Sequence, residues 1–259
     1  MSEPISAAPA NLFDLTGRVA IVTGGSRGLG RAIVLGLAQA GADAVIASRN
    51  LSNCESVAAQ VKGLGRDALA CEFNAERWSD CEKLVEAAYS HFGHVDILVN
   101  NAGLAPPMPP LEHTDETLFD QIVNVNFKSP FRLATLIGSR MATGAGGSII
   151  NIVSAAAFVP DPATGVYGAA KAALTAMTRA LSRAYAPKVR VNALSPGPFD
   201  TDIWLAHLPP EGKAALGPMP NALARMADPQ EIVTSALYLA SPASSFTTGG
   251  CLRVDGGYL

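Results

Sequence analysis

An α/β fold with a doubly wound, mostly parallel sheet is predicted by three observations. Short apolar runs rich in β-branched residues alternate with segments of helical periodicity along nearly the whole chain. The first of these runs passes through a glycine-rich turn straight into a helix, and no linker interrupts the 259 residues. Such alternation places a helix between successive strands, so the strands run parallel and helices cover both faces. The length suits one large α/β domain, expected over residues 12–259, behind a polar, Ala/Pro-rich segment at 1–11 expected to be flexible.

Composition narrows the function classes. Hydrophobic residues make up 49%, charged residues 16%, and net charge is −3, which fits a compact soluble protein with a large buried core. No basic run or positive excess points to nucleic acid. No apolar stretch reaches the ~20 residues of a spanning helix, and residues 1–11 carry neither a basic nor an apolar targeting region. A cytoplasmic location, away from membranes, is the expectation. Cys54, Cys71, Cys81 and Cys251 form no metal-binding pair, and His91, His94, His113 and His207 form no ligand pattern. No metal is expected, and the cysteines read as reduced packing residues.

The elements follow in order. Residues 18–23 form the first strand and 31–40 the first helix, with Gly24, Ser26, Arg27, Gly28, Leu29 and Gly30 in the turn between them. Glycines there permit the tight turn and let a diphosphate approach the free N–H groups of the helix start. The second strand, 44–48, ends in Ser48, Arg49 and Asn50. A carboxylate at this point accepts hydrogen bonds from ribose hydroxyls, whereas Arg and Ser accommodate a 2′-phosphate. No carboxylate is present, and Arg27 adds a second guanidinium, so NADP(H) is expected ahead of NAD(H), which stays possible. If no phosphate binds, both arginines are solvated loop residues.

A helix at 51–63 leads to a third strand at 68–73, followed by Asn74 and Ala75; a helix at 76–92 leads to a fourth strand at 95–99. Asn100, Asn101, Ala102 and Gly103 come next, a turn that would otherwise be an ordinary strand exit. The proline-rich stretch 104–110 can neither be helical nor pair as a strand, and reads as one wall of a substrate cleft. Residues 114–143 supply a long helix, starting near Thr114 or Asp115 and containing Asn126. The fifth strand, 148–153, is apolar on both faces and delivers Ser154 at its C-terminal end, the edge where ligands gather in parallel sheets. Phe158, Val159 and Pro160 are expected to face the substrate.

The helix at 164–186 carries Tyr167 and, one turn on along the same face, Lys171. A phenol is a weak acid, with an ordinary pKa of about 10, and a nearby ammonium favours its phenolate. With Ser154 holding a carbonyl or hydroxyl oxygen against that phenol, the three residues make a proton-handling site for a ketone or alcohol. A sixth strand at 189–194 leads into Pro196, Gly197, Pro198, Phe199 and Thr201. From about 200 to 227, Trp204, Leu205, Leu208, Leu216, Met219 and Met226 stand among prolines and glycines, which reads as a mobile lid with an apolar inner side or else a fixed surface helix pair. A helix at 228–240, capped by Asp228 with Pro229 behind it, precedes the last strand at 250–254.

The spacing Gly24-x-x-x-Gly28-x-Gly30, the Asn101-Ala102-Gly103 turn, Ser154 and the Tyr167-x-x-x-Lys171 pair, in this order, resemble the classical short-chain dehydrogenase/reductase family. The resemblance runs from about Leu15 to the C-terminus. It implies a Rossmann-type sheet of seven strands in order 3-2-1-4-5-6-7. It implies that Asn126, Ser154, Tyr167 and Lys171 are catalytic, with Asn126 disturbing its helix and holding a water that links Lys171 to solvent. Cofactor contacts are implied at the glycine-rich turn, Ser48 to Asn50, Asn74 and Ala75, Asn101 to Gly103, Tyr167 and Lys171, and along Pro196, Gly197, Phe199 and Thr201. Asn74 stands where the family usually has Asp, and its amide oxygen can still accept a bond from adenine. The Ala-rich face at Ala169, Ala170, Ala172, Ala173 and Ala176 implies a subunit interface in a homotetramer, with a dimer as alternative, and Tyr258 and Leu259 could reach a neighbouring subunit's cleft.

The expected activity is reversible NADP(H)-dependent hydride transfer to or from a ketone or secondary alcohol. The alternatives are a 3-oxoacyl thioester reductase, an elimination or epimerisation with the nicotinamide as auxiliary, and a non-catalytic nucleotide-binding regulatory protein. No basic residue stands in the loop 142–147, where carrier-protein-linked reductases of the family commonly present them. A free, partly lipophilic small molecule is therefore preferred, with sugar acids left open.

Overall fold

The computed structural model describes residues 12–159, 161–202 and 218–258. The expectations at residues 1–11, Pro160, Leu259 and most of the lid, including Trp204, Leu205, Leu208 and Leu216, lie outside these residues.

A seven-stranded sheet in the order β3-β2-β1-β4-β5-β6-β7 forms the centre of the molecule. Its strands are β1 (Val19–Thr23), β2 (Asp43–Ser48), β3 (Ala68–Glu72), β4 (Ile97–Asn100), β5 (Gly147–Ile152), β6 (Val189–Pro196) and β7 (Cys251–Val254). Every pairing is parallel; Ile21 stands beside Val45 on one side and Leu98 on the other, and Leu98 beside Ile149. The strand exits therefore all open at one edge, and the order reverses between β1 and β4, the place where such sheets bind ligands.

The strands read as continuous apolar runs because both faces are covered. Ala20, Val22, Ile46, Val99 and Ile150 pack on one side against α1 (Gly28–Gln39) and α2 (Leu51–Gly63). Their neighbours Ile21, Val45, Leu98 and Ile149 pack on the other against α3 (Trp78–Phe92) and a later helix at Ser129–Thr143. Period-2 alternation thus feeds two separate cores from one strand.

Four helices depart from expectation for local reasons. The third helix begins at Trp78, not at 76, because Asn74 folds a turn with its side-chain oxygen accepting from Glu76 N at 3.0 Å. The long helix is broken into α4 (Glu116–Val123), a π-helical turn at Asn124–Lys128 and α5 (Ser129–Thr143), with Asp115 capping α4. The next helix, α6, spans Gly165–Ala184, after a 3-10 turn at Pro162–Thr164. The last helix opens as a 3-10 turn, Pro229–Ile232, closed by a capping box between Asp228 and Glu231, and continues as α7 (Val233–Ala240). No helix among the described residues is long and apolar enough to cross a membrane.

Candidate active site

A cleft of about 710 Å³ runs along the C-terminal edge of the sheet. It is lined by every cofactor and catalytic residue expected from the sequence except Asn126. Sheet order spreads them out: Ser48, Arg49, Asn50, Asn74 and Ala75 lie at the β2–β3 end, the glycine-rich turn and Asn101 to Gly103 at the switch point, and Ser154, Tyr167 and Lys171 beyond β5.

The glycine-rich turn is a tight cradle. Gly24 and Gly28 take φ of +63° and +51°. A Cβ on Gly30 would lie 2.1 Å from Gly24 O and 2.5 Å from Asn101 Nδ2, so only hydrogen fits there. Asn101 donates to Thr23 O at 2.9 Å and Gly24 O at 3.2 Å, while Thr23 Oγ1 accepts from Asn101 N and Ala102 N, each at 3.0 Å. Those bonds lock the two central turns together. Helix α1 then starts without a side-chain cap and without an acidic residue in its first turn, leaving its N–H groups for an anion. These features fit a dinucleotide diphosphate.

At the β2 end, Ser48 Oγ donates to Ser26 Oγ at 2.8 Å and lies 3.1 Å from the buried Cys54 thiol. Asn50 is the cap of α2, accepting from Asn53 N at 3.1 Å, so its side chain is already engaged. Arg49 is exposed, and Arg27 reaches across the cleft mouth to Asp202 Oδ2 at 3.1 Å. Asn74 spends one lone pair of its amide oxygen on Glu76 N and keeps the other. Pro196, Gly197, Phe199 and Thr201 line the wall after β6, with Thr201 Cγ2 only 3.4 Å from where a Cβ on Gly28 would stand.

At the chemical end, β5 delivers Ser154, whose Oγ accepts from Ala156 N at 3.2 Å and caps the 3-10 turn that follows. Ser154 is hydrogen-bonded to Tyr167. The expectation that Lys171 draws the phenol pKa down is not met. Burial raises the Tyr167 phenol above its ordinary value, opposed only by the Ser154 hydrogen bond. The Lys171 Nζ lies 5.8 Å from the ring centroid and donates to Ile152 O at 2.8 Å. Burial pushes the Lys171 ammonium itself down to about 7, so near neutral pH much of its charge is gone.

Asn126 stands behind the cleft wall, fully buried. Its amide nitrogen donates to Leu104 O at 2.7 Å and Ile122 O at 2.9 Å, and its oxygen accepts from Leu104 N at 3.2 Å. The expected disturbance of the helix is the π turn, and its effect is to bind the proline-rich stretch at Leu104. A Cβ on Gly103 would lie 3.4 Å from Asn126 Oδ1 and 3.9 Å from Lys171 Nζ, which puts the three residues in one cluster.

One expectation is corrected. Phe158 is absent from the cleft lining; it is exposed, under the Arg253 guanidinium at 5.9 Å, because the 3-10 turn after Ser154 carries it outward, whereas Val159 does line the cleft. Tyr258 lines the cleft of its own chain, since Gly256 and Gly257, at φ of +65° and +75°, turn the tail back on itself. Asn53, Asp161 and Thr164 also line it and were not expected. The Asn53 signal was its position one turn into the helix that Asn50 caps.

Residues 18–210 match the short chain dehydrogenase family. The chain is 39% identical over 248 residues to an uncharacterized oxidoreductase, MT0954, of Mycobacterium tuberculosis (strain CDC 1551 / Oshkosh), covering 95% of this chain and 94% of that protein. It is 38% identical over 256 residues to the 2-dehydro-3-deoxy-D-gluconate 5-dehydrogenase of Pseudoalteromonas atlantica (strain T6c / ATCC BAA-1087), covering 95% and 98%. Among solved structures, the NADPH-dependent 3-quinuclidinone reductase of Rhodotorula rubra superimposes with a TM-score of 0.91 at 29% identity, covering 100% of this chain and 97% of that one.

Proposed function

The chain belongs to the short chain dehydrogenase family, and on that premise we propose that it is an NADP(H)-dependent oxidoreductase acting on a free ketone or secondary alcohol. The observation that carries this reading is the convergence of Ser154, Tyr167 and Lys171 at one end of a cleft whose other end suits a dinucleotide. When bound, the nicotinamide supplies or accepts the hydride. In reduction, Ser154 holds the substrate oxygen, and Tyr167 gives that oxygen its proton. In oxidation the phenolate takes the proton back, helped by the Ser154 hydrogen bond that favours the charged phenol. Lys171 also has the reach to hold a ribose, and Asn126, clustered with it through Gly103, supports a water-linked path for its proton.

NADP(H) is preferred over NAD(H) on the absence of a carboxylate at the β2 exit and the presence of Arg27 and Arg49 at the cleft mouth. The relatives named above include a dehydrogenase of a keto sugar acid and a reductase of a bicyclic ketone, which supports a free small molecule over a carrier-bound thioester. The single domain at 12–259, a homotetramer and a cytoplasmic setting, where the free thiols of Cys54, Cys71, Cys81 and Cys251 stay reduced, belong to the same reading.

Replacing Tyr167 with Phe tests it. NADPH affinity, measured by fluorescence titration, should stay within about threefold, while kcat falls by roughly 10²–10⁴, the span of a general acid. Wild-type kcat in Tyr167→Phe would sink the mechanism.

A further inference from the structure

The C-terminal tail forms a braced structure at the sheet edge opposite the Ser48 and Asn74 end. After β7, Gly256 and Gly257 bend the chain back, and a Cβ on Gly197 would lie 2.6 Å from Asp255 Cα, so the tail packs directly on the cleft wall after β6. Asp255 is buried; its Oδ1 accepts from Gly257 N at 3.0 Å and its Oδ2 from Arg253 Nε at 2.7 Å. Arg253 Nη2 donates to Tyr258 O at 2.6 Å, and the same guanidinium lies over the Phe158 ring. A second brace comes from the other side, where Ala222 N and Leu223 N donate to Gly257 O and Gly256 O, each at 3.1 Å. One arginine thus connects the loop that begins at Ser154 to the residue that ends the described chain, and Tyr258 enters the cleft from this braced position.

We infer that Tyr258 is a specificity-determining residue, closing the substrate end of the cleft as an aromatic wall, and that Arg253 is the positioning residue that holds it there. The inference rests on the hydride-transfer reading above, and it follows from sheet order. Ser48 and Asn74 leave β2 and β3 at one edge, Ser154 and Tyr167 stand beyond β5, and the tail lies past β7, on the far side of the reacting centre from the adenosine end. A substrate larger than its carbonyl must extend toward that side, where Val159, Ala156 and Thr164 share the lining with Tyr258. A flat ring among such small neighbours suits an apolar ring or chain on the ketone.

The test is a ketone series of rising size, acetone, cyclohexanone and 2-decalone, reduced with NADPH by wild type, Tyr258→Ala, Tyr258→Phe and Arg253→Ala. In Tyr258→Ala the KM for 2-decalone should rise about tenfold with kcat nearly constant, while the KM for acetone and the Kd for NADPH stay within twofold. Tyr258→Phe, which keeps the ring, should restore the wild-type KM, and Arg253→Ala should raise the 2-decalone KM in the same selective way. Unchanged KM across the series in Tyr258→Ala overturns the inference, as does an equal rise for acetone and 2-decalone, which marks a merely structural tail. A wild type that binds NADPH but oxidises it with none of the three ketones is seen before any variant is made, and takes down the ketone reading together with this inference.

Discussion

Lys171 is held where its charge is least welcome. It is almost fully buried, its ammonium donates to Ile152 O, and burial lowers its pKa from 10.5 to about 7. An unfolded chain therefore binds this proton more readily than the folded one between about pH 7 and 10.5, so the folded state gains stability as pH rises through that window and bears the full penalty below it. A shift of this size corresponds to about 5 kcal/mol as an upper bound, offset in part by the bond to Ile152. Lys171→Met should accordingly raise the melting temperature of the cofactor-free protein at pH 7 and abolish turnover. The gain should shrink toward pH 10, and melting curves of both proteins at the two pH values check it; a gain of the same size at both would show that the ammonium carries no such penalty. Function here is placed against stability.

The arginines at the cleft mouth make a second claim at this scale. Arg27 is paired with Asp202 although both side chains are more than half exposed, a type of ion pair that contributes little by itself. Its guanidinium is therefore available to a phosphate without much loss. Arg27→Ala and Arg49→Ala should each weaken NADPH binding about tenfold, the scale of a lost charge-assisted hydrogen bond, and leave NADH binding within threefold. Isothermal titration with the two cofactors decides the matter, and equal losses for both would show that neither arginine reads a 2′-phosphate.

Among the elements, the contact of α1 with α7 depends on one absent side chain. A Cβ on Gly36 would lie 2.2 Å from Val233 Cγ1, so the helices pack with the valine seated against bare backbone. Alanine is the better helix former by up to about 1 kcal/mol, yet overpacking costs roughly 1–3 kcal/mol. Gly36→Ala should therefore destabilise the protein in urea unfolding, and the double variant Gly36→Ala/Val233→Ala should recover most of the loss. Additive losses in that cycle would mean that the two sites do not meet. The same helix positions the cofactor turn at its start, so this packing bears on the site too. The π turn at Asn124–Lys128 also serves the site, since it points the Asn126 amide at Leu104 and so fastens the proline-rich wall that follows Gly103.

Over the whole molecule, the exposed stripe on α6 bears on assembly. Ala169, Ala172 and Ala176 face outward while Ala170 and Lys171 face the core, so one helix presents Lys171 inward and a small-residue surface outward. In the proposed homotetramer this stripe meets its copy, and Ala176→Arg should shift the sedimentation coefficient toward a smaller species. An unchanged profile would move the interface elsewhere.

Local chemistry settled much of this protein from the sequence alone. Strand and helix alternation, the glycine-rich turn before α1, the missing carboxylate after Ser48, and the one-turn spacing of Tyr167 and Lys171 are all short-range patterns, and each depends on residues close in the chain. The strand order came by resemblance rather than from periodicity, because an apolar run buried on both faces carries no mark of its neighbours. What only the tertiary structure decided lies in contacts between distant segments. Burial of Tyr167 and Lys171 is a property of everything packed around them, so the direction of their pKa shifts could not be read from their spacing. Phe158 turns outward on the 3-10 turn after Ser154 and Tyr258 turns inward at Gly256 and Gly257; Arg253, nearly a hundred positions from one and five from the other, contacts both, and no local pattern encodes an arginine shared between a loop and a tail.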